Sequence, residues 1–239
     1  MKRFMVFFIL GFLVFGVVSC SKSAPEPPTL QVNPTSLKEI SGPNTTKQDT
    51  TIMLSTLSNM INVVNGFADG TYNFGSALEN LRNEMGEYNY ANGTWTWTWS
   101  SAQGSVRIVC TEGSEGYTWE IYINDEKIYN GYVKMDGTYA YWKYWESDTV
   151  YASFEWNDDG TGGFIKFRNG DLTADPLIWF TWTTGSNYID ITIHATSITV
   201  NYRIIIHAND DKSGYADFYE NGVKVLHVAW DTSGNITSK

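Results

Sequence analysis

Residues 94–99 read Thr94-Trp95-Thr96-Trp97-Thr98-Trp99, an unbroken alternation of hydroxyl and indole side chains. Successive side chains of a β-strand point to opposite faces, so this spacing puts every indole on one face and every hydroxyl on the other. A helix, with its period of 3.6, does not sort residues this way. The stretch predicts a strand with one face against a core and the other against water.

The same alternation spreads outward from it. Val106, Ile108 and Cys110 share a parity, as do Trp119, Ile121 and Ile123; later, Ile189, Ile191 and Ile193 oppose Asp190, Thr192 and His194. Turn signals punctuate these runs at Asn92-Gly93, Asp136-Gly137, Asp159-Gly160, Asn169-Gly170 and Asn221-Gly222. Strands joined by short hairpin turns recur in this way. Residues 87–239 are therefore expected to form a mainly β fold, an antiparallel up-and-down meander of about a dozen strands. Asp175-Pro176 marks an edge or a strand entry, since Pro cannot donate to a ladder.

Ahead of the meander the period is helical. Met53, Leu57, Met60, Ile61 and Val64 fall on one stripe between Thr50 and Phe67, with Asp49 and Thr50 as N-cap candidates and Asn65-Gly66 as a stop signal. A shorter helix is expected over Ser76 to Met85, with Leu78, Leu81 and Met85 inward. Residues 50–86 are thus read as a helical segment packing on the sheet. A dozen strands at about 4.8 Å spacing make a flat sheet nearly 60 Å wide. One or two helices of about 10 Å diameter cannot cover its apolar face. The sheet must close into a barrel, fold into a sandwich, or curl into a half-barrel whose concave side holds the helices and a ligand. The half-barrel resembles, in element order and mature length, the unclosed barrel of periplasmic lipoprotein carriers and related lipid-binding lipoproteins. That resemblance implies an apolar cavity for acyl chains and carries over no site residue.

Two segments, Gly163–Gly170 and Gly214–Gly222, each combine a Gly, an alternating strand and an Asn-Gly turn. The second, continuing to Trp230, resembles the Gly- and aromatic-punctuated strand repeats of bacterial surface and envelope proteins. Repeated hairpin chemistry alone explains it.

The amino terminus carries an address. Lys2 and Arg3 precede an apolar run from Phe4 to Val18, too short to span a bilayer as a helix, so residues 1–19 read as a secretion signal. The run ends in Val17-Val18-Ser19-Cys20, which resembles the lipobox of bacterial lipoproteins, with Val17 in place of the usual Leu. That resemblance implies cleavage before Cys20 and its acylation, a membrane anchor. Residues 20–49 follow as a Pro-, Ser- and Thr-rich tether leading into a loosely packed segment. Ser21 and Lys22 do not resemble the aspartate-type retention signal, so the expected location is the cell envelope, at the outer membrane.

Of the 16 basic side chains, Lys2 and Arg3 leave with the signal, so 14 face 26 acidic ones, a formal charge of −12. This argues against a nucleic-acid partner and against a polybasic membrane patch. Acylation of Cys20 leaves Cys110 a lone thiol on an apolar strand face, expected to be buried and inert.

Catalytic signals are weak. There is no Gly-x-Ser-x-Gly elbow, phosphate loop or dinucleotide fingerprint. His194, His207 and His227 are scattered over strands, against the close spacing of metal ligands. Were Asn221-Gly222 a two-residue turn, His227 would lie opposite Ala216, with His207 flanking the same strand near Tyr215 or Ala216. The Asp158-Asp159 loop offers calcium-type oxygens without the Glu that closes an EF-hand loop, and Asp in such a turn stabilises the turn itself. No cofactor, metal or enzymatic activity is expected. The aromatics are the more telling feature. Tyr139, Tyr141 and Trp145 share one parity and Trp142 and Tyr144 the other, so this strand is aromatic on both faces. One set is a candidate ligand surface, against cross-strand pairing as the plain explanation. The expectation is a membrane-anchored envelope lipoprotein with a non-enzymatic binding or structural role. Its alternatives are a lipid or hydrophobic-ligand carrier or sensor with a half-barrel cavity, and a carbohydrate-binding module using exposed Trp and Tyr.

Overall fold

The structure is a computed structural model that describes residues 24–29, 35–44, 52–68, 74–196 and 200–238. The expected leader with Cys20, and the N-cap candidates Asp49 and Thr50, lie outside the described residues, as do the side chains of Met53 and Leu78.

The meander is present. One antiparallel sheet runs in strict chain order from β1 (Asn89–Ala91) through β2 (Thr94–Ser101), β3 (Gly104–Glu112), β4 (Gly116–Ile123), β5 (Glu126–Lys134), β6 (Tyr139–Glu146) and β7 (Thr149–Asp158). It continues through β8 (Gly162–Arg168), β9 (Pro176–Thr184), β10 (Tyr188–Thr196), β11 (Asn201–Asn209), β12 (Gly214–Glu220), β13 (Val223–Trp230) and β14 (Ile236–Ser238). The sheet curls but does not close, so β1 and β14 remain as short edges. Fourteen strands stand where about a dozen are expected, because short β1 and β14 carry no readable alternation. Pro176 is the first residue of β9, a strand entry as its missing donor requires. The Asn-Gly turns behave as their chemistry dictates: Asn221 and Gly222 both have positive φ, 49° and 83°, the pairing that a tight twisted hairpin needs.

Turns that follow odd-numbered strands gather at one end of the sheet, here called upper, and those that follow even-numbered strands at the lower end. The inner face is the core. Trp95, Trp97, Ile108, Cys110, Trp119 and Ile121 are all buried on it, as are Ile189, Ile191, Ile193, Ile204 and Ile206 further along. Register shifts at Ile121/Tyr122, Tyr144/Trp145, Phe167/Arg168 and Phe218/Tyr219 all lie toward the lower end. Bulges of this kind bend a strand and sharpen its twist, and they help the sheet to curl.

Two helices occupy the concave side. The first, α1 (Ile52–Ala68), buries Leu54, Leu57, Ile61 and Val64 in the common core. The second, α2 (Phe74–Met85), packs Leu81 and Met85 against it and sets Arg82 over the Trp97 ring, 5.5 Å from its centroid. The first helix does not stop at Asn65-Gly66. It continues to Ala68, and the Asn65 amide instead clasps the backbone of Ile40, accepting from its N–H at 2.7 Å and donating to its C=O at 2.9 Å.

The lead-in is also packed where looseness was expected. Leu37 and Ile40 are buried, Trp95 Nε1 donates to Pro25 O at 2.9 Å, and Asn44 N donates to Gly234 O at 2.7 Å. Ser36 is the main clasp. Its N–H and Oγ donate to the buried Asp158 carboxylate at 2.7 and 2.6 Å, while Trp182 Nε1 donates to its Oγ at 2.8 Å. These contacts lie at the upper end, near the closing residues of β7 and β9. The inner trough is thereby stoppered from above.

Candidate functional site

Below α1 the trough is not filled. A cavity of about 370 Å³ lies between the end of the helix and strands β5 to β8. Phe67, from the last turn of α1, forms its roof, with ring centroids 6.0 Å from Phe154, 5.7 Å from Phe167 and 5.7 Å from Phe180. Trp142, Tyr144 and Tyr129 form the far wall, and Ala152 leaves the space between them open. The local sequence explains the vacancy. Gly131, opposite Trp142 across β5 and β6, lets the indole lie down on the sheet, since a Cβ there would collide with the ring. Tyr129 and Tyr144 then pair across the same strands at 5.3 Å. The Tyr129 phenol is held above its ordinary pKa by burial and then by Tyr144, so it stays neutral at physiological pH, and Arg168 is the one charged residue in the lining.

The five aromatics singled out in sequence do not form one site. Trp142 and Tyr144 line the cavity, whereas Tyr139, Tyr141 and Trp145 stand on the outer face. There Tyr141 stacks with Tyr132 at 6.0 Å, and Trp145 Nε1 donates to Asn130 Oδ1 at 2.7 Å. Tyr139 titrates at about 12, pushed up by burial and then by Glu155. Phe67, Phe154 and Phe167 were missed as site residues. Their separation in sequence hides them: only the packing of α1 on β7 and β8 brings the three rings together.

The histidines are structural neighbours on the outer face. His207 Nδ1 shares a hydrogen bond of 2.6 Å with Asp190 Oδ1 directly across β10 and β11. His227 does the same with Asp217 across β12 and β13, at 2.6 Å. The register shift at Phe218/Tyr219 moves His227 opposite Asp217 instead of Ala216. The two imidazoles do flank β12, with the Tyr215 ring between them at 5.2 and 5.9 Å. His194 stacks flat on Trp179 at 4.3 Å, and burial, then Arg203, lowers its pKa.

Asp158 and Asp159 are fully engaged by the protein. Asp158 is not a turn residue but the buried end of β7 that receives Ser36, while Asp159 Oδ1 accepts from Thr161 N, Thr161 Oγ1 and Gly162 N. Among the described residues no group of three or more His, Cys, Asp or Glu side chains is placed to hold a metal ion. Cys110 is fully buried, and desolvation raises its pKa far above the ordinary thiol value. No helix among the described residues is long and apolar enough to cross a membrane. Comparison of the chain with protein families, with curated proteins and with solved structures finds no match.

Proposed function

We propose that the protein is an envelope lipoprotein, tethered through Cys20, whose curled sheet binds an apolar ligand in the concave cavity. The cavity itself supports this reading. Its volume falls within the roughly 300–1,000 Å³ of small-molecule sites, and its lining is aromatic and aliphatic apart from Ser153 and Arg168, with no carboxylate, imidazole or thiol. Binding, not catalysis, suits such walls. Apolar walls left beside water gain by taking up an apolar guest.

A Cys20→Ala chain exported in soluble form tests it. Gentle purification followed by native mass spectrometry is expected to show co-purifying apolar ligand, and the protein is expected to take up the neutral dye phenylnaphthylamine. Ala152→Trp fills the space and should abolish dye uptake without changing the circular dichroism. Dye uptake that survives Ala152→Trp unchanged would place the ligand elsewhere and overturn the reading. The anchor has its own test: Cys20→Ser is expected to abolish incorporation of labelled palmitate.

The glycan alternative draws on the outer-face rings. Those rings stack on one another, as Tyr132 does on Tyr141 and His207 on Tyr215, so the faces that would meet a sugar are already partnered. That arrangement favours the cavity as the ligand site.

A further inference from the structure

The mouth of the cavity carries charge of one sign. Glu126 begins β5 just below Tyr129, and Glu146 ends β6 just below Tyr144. Both belong to the inner face: Glu126 is the cross-strand partner of Ile123, which shares a parity with the buried Ile121, and Glu146 shares the parity of Trp142 and Tyr144. Both are exposed, and neither has an ion pair among the described residues. The basic side chains on the lower halves of β5, β6 and β8 stand on the outer face and are partnered there. Lys127 pairs with Glu120 at 3.2 Å, Lys143 with Asp171 at 2.6 Å and Arg168 with Glu155 at 2.6 Å. Arg168 borders the cavity, but it alternates with the inner Phe167, so its guanidinium lies behind the sheet, where Nε donates to Ala174 O at 2.9 Å. Its Nη1 lacks a partner, yet it is sealed from water and so from any guest.

We propose that the site takes a hydrophobic organic cation, with an apolar body lodged under Phe67 and an ammonium head held at the mouth over Tyr129 and Tyr144, between Glu126 and Glu146; this rests on the cavity being a ligand site. The walls favour such a guest twice over. Their rings exclude water from the body, and an aromatic face attracts a cation within about 6 Å of its centroid. Tyr129 and Tyr144, 5.3 Å apart, stand directly above the two carboxylates, so the ring faces and the negative charges converge on one place. Two unpaired carboxylates on neighbouring strands repel one another, and a cation between them relieves that repulsion. An anionic head meets the same field with the opposite sign.

Displacement of phenylnaphthylamine from the soluble Cys20→Ala protein by probes of similar size but different charge tests the proposal: naphthylmethyl-trimethylammonium, its uncharged carbon isostere neopentylnaphthalene, and naphthylacetate. At low ionic strength the cation is expected to bind about tenfold more tightly than the isostere, and the anion most weakly. Added salt should shrink that advantage, because the mouth is open to water. Glu126→Gln combined with Glu146→Gln should remove most of it. Both positions are exposed, so the exchange spares the core, and circular dichroism checks that it does. Glu115→Gln, in the upper turn between β3 and β4, should keep the advantage in full. An isostere that binds as tightly as the cation, in a protein that takes up the dye, would overturn the cation proposal and leave the cavity reading standing. An advantage that survives both the double exchange and high salt would overturn the placing of the head between the carboxylates. A protein that takes up neither the dye nor any probe would overturn both readings.

Discussion

The rings of Phe67 and Phe154 lie 6.0 Å apart and 13° from parallel, and this stack is where the helical and β parts of the chain jointly roof the cavity. Phe67 is half-buried, and so contributes less than the 3–5 kcal/mol typical of a fully buried Phe. Phe67→Ala is expected to lower unfolding stability by about 2 kcal/mol in urea titration. It should also enlarge the cavity, so that bulkier neutral dyes bind more tightly than to wild type.

Asp158 should matter more than its place beside a turn implies. It is buried with no ion pair among the described residues and accepts from Ser36 N, Ser36 Oγ and Gly160 N, with Thr35 Oγ1 at 3.4 Å. Asp158→Ala leaves those donors unmet and is expected to cost about 3 kcal/mol. Because Ser36 ties the lead-in to the sheet, limited proteolysis should release the segment ahead of α1 faster in this variant than in wild type. Equal cleavage rates would mean that the clasp does not hold the segment.

Much of this architecture is legible in the sequence, and the reason is physical. The Trp95-Trp97 alternation is read directly because a half-buried strand must display its two faces at period two, and Asn221-Gly222 is read directly because few pairs accept two positive φ values. What stays hidden depends on long-range partners. Asn65 looks like a helix stop because free Asn competes with helical hydrogen bonds, yet Ile40 satisfies its amide and the helix continues. Ser36 and Leu37 sit in a stretch whose composition spells tether, and only long-range partners on α1, the upper ends of β2, β7 and β9 and the β13–β14 turn give it a place to pack. Trp142 and Tyr144 are recognisable as candidates because their strand is aromatic on both faces. Which face carries the cavity is fixed by Gly131 and Phe67, neither of which differs in sequence from an ordinary strand glycine or a helix-end aromatic.

Acid should weaken the β12–β13 hairpin through Asp217. Burial alone would raise its pKa, but hydrogen bonds from Lys224 and His227 outweigh that and hold it below the ordinary carboxylate value. A carboxyl whose folded pKa is depressed stabilises the native state fully above its unfolded pKa of about 3.9, and that contribution is lost as pH falls through the folded value. Urea midpoints are therefore expected to drop as pH falls below about 4. Asp217→Asn should flatten part of that drop, and an unchanged profile would remove Asp217 from the account.

Gly131 offers a way to shrink the cavity from beneath. Its Cα lies opposite that of Trp142, and the indole rests on the glycine where any side chain would stand. Gly131→Ala must lift the ring, and the space into which it lifts is the cavity, since Phe154 and Ala140 flank it on the sheet. Overpacking of this kind costs about 1–3 kcal/mol. The variant should therefore lose stability and ligand affinity together, unlike Ala152→Trp, which fills open space and should lose affinity alone. Comparing urea midpoints with phenylnaphthylamine affinity across the two variants separates the effects. A Gly131→Ala protein that is destabilised yet binds the dye as wild type does would show that the indole yields sideways along the sheet, and that Trp142 is a wall of the cavity only in the sense of being near it.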